Sequence, residues 1–324
     1  MLKILLLIIL ISTLSVPIAT SAQSPADSWP SRPVTLIVPV AAGGPSDNEG
    51  RVYAQKLTEN LGQQFLIDFK PGGGSTIGMA YVVKAVADGH TLMLTASTLS
   101  VVPLMYKDLP YDPFKALAPV TLLSKRYALL VVHPSIPVKT LAEYVAYARA
   151  HPGELNFSTA GAGGAQHLTG VWLNTVTNTR TTLVHYKGTG SVMPDLLGGR
   201  AHVTFLTFTT ALPLLKAGKM RALALANLER TPAMPDMPTM TELGYPDFEY
   251  SSWLGVLAPG PTPTAIVNRI SAEFARAMKS PEIVQRFSAE GRLIGSTPEQ
   301  FRSYIQSEHD RWKKLVRDND IRFE

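Results

Sequence analysis

Two glycine-rich turns constrain this chain more than any other feature. Each follows an apolar strand and opens a helix. The first reads Thr35-Leu-Ile-Val-Pro-Val-Ala-Ala42-Gly43-Gly44-Pro-Ser46-Asp47, and the second Asn156-Phe-Ser158-Thr159-Ala-Gly161-Ala162-Gly163-Gly164-Ala-Gln166-His167. A helix N-terminus offers unpaired N–H groups and the positive end of the helix dipole, so it binds anions without needing Arg or Lys. Two such turns, more than 100 residues apart, imply a small anionic ligand held between two halves of one protein.

The chain opens as a secretory signal would. Lys3 supplies a positive charge, Ile4 to Ile11 an apolar run, and Thr20-Ser21-Ala22 a small-residue cleavage site. A signal peptide over residues 1–22 is therefore expected, with the mature protein exported to the periplasm. No later stretch approaches the roughly 20 apolar residues of a membrane span. The chain has no cysteine, which removes disulfides, thiolate nucleophiles and cysteine metal sites. Stability must come from a core, and a chain of this length usually divides into two domains.

The net charge of +5 is spread thinly, with Lys and Arg recurring singly. Nucleic acid requires a concentrated basic stripe, so no such partner is expected. The spacings of the P-loop and of the dinucleotide fingerprint are missing: Tyr186-Lys187-Gly188-Thr189-Gly190 has the residue types in the wrong order, and Pro71-Gly72-Gly73-Gly74 is mis-spaced. The seven histidines are scattered without a zinc-binding pair. Neither metal nor cofactor is expected.

Apolar runs alternate with helical periodicity, which predicts an α/β fold with largely parallel sheets. Strands are expected at 34–40, 65–69, 91–96, 119–132, 154–158, 181–187, 201–206 and 220–226. Helices are expected near 46–61, 75–87, 140–150, 165–175, 190–197, 209–217, 264–279, 281–290 and 298–317. Ser46-x-x-Glu49 and Thr140-x-x-Glu143 fit the capping box, and Pro298 suits a first helical position. Phe301, Tyr304, Ile305, Trp312 and Leu315 form one apolar face of the last helix. The run 119–132 is long enough to cross between domains, with 220–226 a candidate for the returning strand. Residues 23–124 with 226–324 would then form one domain and 125–225 the other.

A series of short motifs also resembles one family. They are Trp29-Pro30-x-Arg32-Pro33, Gly43-Gly44-Pro45-Ser46-Asp47 with Arg51, Leu61-Gly62-Gln63, Lys70-Pro71-Gly72-Gly73-Gly74, Asp88-Gly89-His90-Thr91-Leu92 and Leu109-Pro110-Tyr111-Asp112-Pro113. Ser158-Thr159-Ala160-Gly161, Tyr186-Lys187-Gly188, Leu197-Gly198-Gly199 and Pro238-Thr239-x-x-Glu242-x-Gly244 continue the series. In this order they resemble the periplasmic substrate-binding proteins of tripartite tricarboxylate transporters, the Bug or TctC type.

The resemblance implies a two-domain periplasmic binding protein, a type II-like Venus flytrap with each sheet flanked by helices and crossing strands between them. It implies a monomer that captures a small carboxylate without catalysis and delivers it to membrane permease subunits. By analogy, Ala42, Gly43, Gly44, Ser46 and Asp47 hold the ligand from one domain, Asp47 by orienting loop N–H groups or a water, and Ser158, Thr159, Ala162, Gly163 and Gly164 from the other. Ser97 and Thr98 add hydroxyl donors. Tyr186 is a cleft wall or a core residue, and Lys187 a cleft cation or a surface residue.

Departures from the family pattern concern the ligand's other end. Phe69 stands where the family often has Asn-Arg before Pro-Gly, and the segment around His202, Phe205 and Leu206 lacks the usual aspartates. An apolar far end, poorly suited to ammonium, is expected, favouring aromatic or simple carboxylates over amino acids, with dicarboxylates within range. Two other readings use the same residues. One is a ligand sensor for a two-component system; the other is a secreted hydrolase with Ser46 or Ser158 as nucleophile and His167 or His185 as base.

Overall fold

The computed structural model describes residues 26, 28–106, 108–250, 252–288, 291–318 and 321. The expected signal peptide, residues 1–22, lies outside the described residues. Eleven strands form two sheets among them. In chain order the elements begin β1 (Val34–Val38), α1 (Pro45–Leu61), β2 (Phe65–Phe69), α2 (Thr76–Val83), β3 (Thr91–Ala96), α3 (Thr98–Met105), α4 (Pro113–Ala116) and β4 (Leu117–Arg126). There follow β5 (Ala128–Val132), α5 (Leu141–Ala150), β6 (Asn156–Thr159), α6 (Ala165–Thr177), β7 (Thr182–His185), α7 (Thr189–Leu197), β8 (Val203–Thr207), α8 (Phe208–Lys216) and β9 (Arg221–Leu225). The chain closes with β10 (Ser252–Pro259), α9 (Thr264–Met278), α10 (Pro281–Phe287), β11 (Gly291–Leu293) and α11 (Pro298–Asp318).

The first sheet runs β11-β4-β10-β3-β1-β2 and the second β7-β6-β8-β5-β9. Both are mixed. β1 is parallel to β2 and β3, and β6 to β7 and β8. Antiparallel pairs enter with β4, β5 and β10, the strands at the crossings between sheets. A strand that leaves one sheet and a strand that returns to it run in opposite directions, so they pair antiparallel.

The run expected as one strand over 119–132 breaks at Tyr127: β4 belongs to the first sheet and β5 to the second. The return is later than 226. Residues after β9 stay on the second sheet, where Tyr250 N–H donates to the Ala226 carbonyl (2.9 Å) and Met240 and Phe248 join that core. β10 then re-enters the first sheet with Ser252 opposite Arg126. No expected strand covered β10.

Side chains alternate across each strand, so both faces of each sheet must be covered. On the first sheet Leu36 and Val38 face Tyr53, Leu57, Ile270 and Phe274 of α1 and α9, while Ile37 faces Met79, Leu99 and Phe301 on the other side. On the second, Phe157 and Phe205 pack with Tyr144, Leu168 and Trp172, and Leu129 and Leu206 with Val192, Leu196 and Phe208. The C-terminal helix spans both: Phe301 and Ile305 join the first core, and Trp312 the second. Thr297 and Gln300 cap it reciprocally, at 3.2 and 2.9 Å.

Candidate functional site

The two glycine turns adopt the same local solution. Gly43 is left-handed (φ +83°) and Gly163 likewise (φ +73°), a conformation that excludes most side chains. Gly44 and Gly164 then turn to extended backbone as the N-caps of α1 and α6. Asp47 Oδ2 accepts the Gly43 N–H at 2.8 Å, and His167 Nδ1 accepts the Gly163 N–H at 3.1 Å, each from the residue four positions on. Arg51 fixes Asp47 from the other side at 2.6 Å. Gln166 accepts the Ala160 N–H and donates to Thr204 and to the Phe205 carbonyl, tying the second loop to β8. Because both N-caps are glycine, no side chain caps the first-turn N–H groups. They remain donors for a ligand.

The expected Ser46–Glu49 capping box does not form. Ser46 lies inside α1, one residue past Pro45, and Glu49 turns instead to Ser124 and Arg126. The Thr140–Glu143 box forms in half: Thr140 Oγ1 accepts the Glu143 N–H at 3.1 Å, while the carboxylate takes the N–H of Lys139.

The two turns face one cavity of about 80 Å³ between the sheets, space for several waters or a small solute. Gly44, Ser46, Ser97, Thr98, Gly164 and Gln166 line its walls, and Arg126, Phe205, Thr207, Tyr250 and Ser252 its floor beside the crossing strands. Six helix starts, those of α1, α2, α3, α6, α7 and α8, therefore open onto it. Arg126 is the one charged side chain among the described lining residues, and none of them is a carboxylate. The rims meet: Ala41 N–H donates to the Lys187 carbonyl at 2.7 Å, and Tyr106 hydroxyl to the Ala162 carbonyl at 3.0 Å.

Arg126 is buried against Glu49, with Nε at 2.8 Å from Oε2 and Nη2 on the same oxygen. Ser124 hydroxyl donates to Glu49 as well, at 2.9 Å. Tyr250 stacks on Phe205, with ring centroids 5.4 Å apart. Burial pushes its phenol up to about 12, against an opposite pull from Arg126. On the second loop, burial and then the neighbouring His185 lower His167 to about 4, so its ring is neutral and Nδ1 is free to accept. Burial also lowers His185.

Of the residues expected from sequence, Gly44, Ser46, Ser97, Thr98, Gly164, Phe205 and Leu206 line the cavity. Ala42, Gly43, Ala162 and Gly163 stand in the loops outside that lining, and Asp47 in the first turn of α1. Ser158 and Thr159 are fully buried; the first leans on the Val203 carbonyl, the second meets His185 Nδ1 at 2.7 Å. Tyr186 hydroxyl donates to Asp195 at 2.6 Å, and Lys187 meets the opposite rim through its carbonyl. Phe69 packs on the first core under the Arg51 guanidinium, and His202 accepts the Asn156 N–H at the start of β8. These two do not line the cavity. Polar lining residues that sequence reasoning did not reach include Ser75, Arg126, Gln166, Thr207, Tyr250 and Ser252. Among the described residues no histidine bonds to Ser46 or Ser158, as a hydrolase would need. No group of three or more His, Asp or Glu is placed there to hold a metal, and no helix is long and apolar enough to cross a membrane.

Comparison with known proteins gives a consistent picture. Residues 50–321 match the model of the tripartite tricarboxylate transporter family receptor, TctC. The chain is 33% identical over 315 residues to Protein BugT of Bordetella pertussis, covering 95% of this chain and 97% of that one. Among solved structures it is similar to an R. palustris protein with adipate (34% identity, TM-score 0.86, covering 90% of this chain and 99% of that one). It is also similar to MatC of Rhodopseudomonas palustris with bound malate (32% identity, TM-score 0.84, covering 89% and 100%). The match extends across both sheets and the cavity between them, and the chain belongs to the tripartite tricarboxylate transporter receptor family.

Proposed function

We propose that this protein captures a small carboxylate in the periplasm, closes its two sheets around it, and delivers it without catalysis to the permease subunits of a tripartite transporter. The observation that carries this reading is the pair of glycine-capped helix starts, one from each sheet, facing a cavity whose described lining holds no carboxylate. Unspent N–H groups and the positive dipole ends of α1 and α6 favour an anion. The hydroxyls of Ser46, Ser97 and Thr98 stand beside them as further donors.

An ammonium group has no anionic partner in this lining, so amino acids are disfavoured. The relatives solved with adipate and with malate hold carboxylates, which agrees in chemistry with the donors here. The hydrogen bonds between the rims represent the closed form that a permease would receive.

Native mass spectrometry of the purified protein, followed by denaturation, tests the proposal. A released organic acid is expected; a released amine or nucleotide would contradict it. In a thermal-shift panel, organic acids should raise the melting temperature by mass action, and selective stabilisation by aspartate or glutamate would count against the reading.

A further inference from the structure

The floor of the cavity carries donors beyond the glycine-capped starts of α1 and α6. Arg126 ends β4 and Thr207 ends β8, and they flank the crossing at Tyr127: Arg126 lies opposite Ser252, and Thr207 opposite Ala128. The guanidinium is buried, and its Nε and Nη2 are both spent on Glu49 Oε2. Its Nη1 takes no part in that pair. Thr207 is 6% exposed and its hydroxyl has no partner, although the residue lines the same cavity. A buried polar group without a partner is costly unless something else meets it. The unpartnered Thr207 hydroxyl, on the same cavity floor as Arg126, therefore points to an acceptor supplied by the ligand.

The charge state of that acceptor follows from Glu49. Its carboxylate already matches the Arg126 guanidinium inside a buried pair. A second carboxylate on Nη1 would leave two negative charges sharing one positive charge in a desolvated site. An uncharged oxygen accepts the same hydrogen bonds without that penalty.

We propose that Arg126, together with Thr207, is a specificity-determining element that donates to an uncharged oxygen at the ligand's far end. The preferred ligands are then monocarboxylates bearing a keto, hydroxyl or amide oxygen, rather than dicarboxylates. This rests on the reading of the helix starts as the carboxylate site.

Titration calorimetry on the full mature chain tests it. The probes are straight-chain monocarboxylates of three to six carbons, the keto acids with their carbonyl next to the terminal methyl, and the dicarboxylates of equal length. At the best length the keto acid should bind at least about tenfold tighter than its parent and no more weakly than the dicarboxylate. Thr207→Val, close to isosteric, should cut at least threefold the ratio of keto-acid to parent-acid affinity, both measured in that variant. The paired variant Glu49→Met with Arg126→Met, which leaves no lone buried charge, should nearly abolish the advantage. A dicarboxylate preferred tenfold, or a keto advantage untouched in both variants, would overturn the proposal. Binding of the parent acid with no gain from the oxygen would sink this proposal alone; no binding of any acid would sink the carboxylate reading beneath it.

Discussion

Gly190 and Ala42 touch across the cleft: a β-carbon built on Gly190 would lie 2.0 Å from the Ala42 carbonyl oxygen. The nearest atoms to that carbon all belong to the opposite rim, Ala42 and Gly43. Gly190 sits in the first turn of α7, where alanine is intrinsically favoured over glycine by about 0.5–1 kcal/mol. Gly190→Ala should thus leave the unliganded fold as stable as before, or slightly more so, while obstructing closure. We expect ligand affinity to fall at least about tenfold, near 1.4 kcal/mol, with unchanged thermal unfolding in the absence of ligand. Small-angle scattering should show a more open particle. Full affinity in this variant would mean that the rims need not meet.

Asp47 and His167 hold equivalent N–H groups with different chemistry, a carboxylate on one loop and an imidazole on the other. The folded state holds His167 at about 4, through burial and then His185, whereas an unfolded histidine titrates near 6.5. Below about 6.5 the unfolded chain binds a proton that the folded chain resists. This contribution to stability is therefore complete above about 6.5, declines as pH falls from there towards about 4, and is gone below. His167→Asn places Oδ1 where Nδ1 was and should flatten that part of the melting-temperature profile. Imidazole NMR checks the premise directly; titration of His167 near 6.5 would refute it.

Glu49 and Arg126 should behave as a unit. Both are buried, so Glu49→Gln strands a guanidinium in the interior and should cost about 3–5 kcal/mol in urea unfolding. Replacing both with methionine removes the desolvation penalty along with the attraction, and should cost far less than the single change. Equal losses in the two variants would argue against a coupled buried pair.

Asp47 has a lighter structural role than Glu49 because its Arg51 partner is largely exposed, at 60% of its side chain. Its bond to the Gly43 N–H shapes the first loop. Asp47→Ala should therefore lower ligand affinity by about 1.5–3 kcal/mol, the range for a charge-assisted hydrogen bond, with a smaller change in unfolding free energy. Calorimetry and urea titration together separate the two; a variant that loses stability but keeps affinity would assign Asp47 to the fold alone.

The walls of the site were legible in the sequence, and most of its floor, Phe205 apart, was not. Gly43-Gly44 and Gly163-Gly164 announce themselves because a strand that must turn at once into a helix needs glycine, and that need is local. Arg126, Thr207 and Tyr250 become neighbours only where the chain crosses between sheets, and no spacing records that. β10 escaped notice because Ser-Trp-Leu-Gly-Val-Leu-Ala-Pro, with Gly255 and Pro259, shows no clean alternation; it is buried on both faces between β3 and β4. Glu49 read as a capping residue because Ser46 precedes it by three. The cap was already supplied by Gly44, which left the carboxylate for Arg126.

The central claim is that helix starts from both sheets hold a carboxylate. It is tested most directly by calorimetry comparing the best-binding acid of the three-to-six-carbon series with its own primary amide. The two have nearly the same shape, but the amide is neutral and presents an N–H donor where the acid has a second acceptor oxygen. The amide should bind at least about a hundredfold more weakly, near 2.7 kcal/mol. Equal affinity for acid and amide would contradict it.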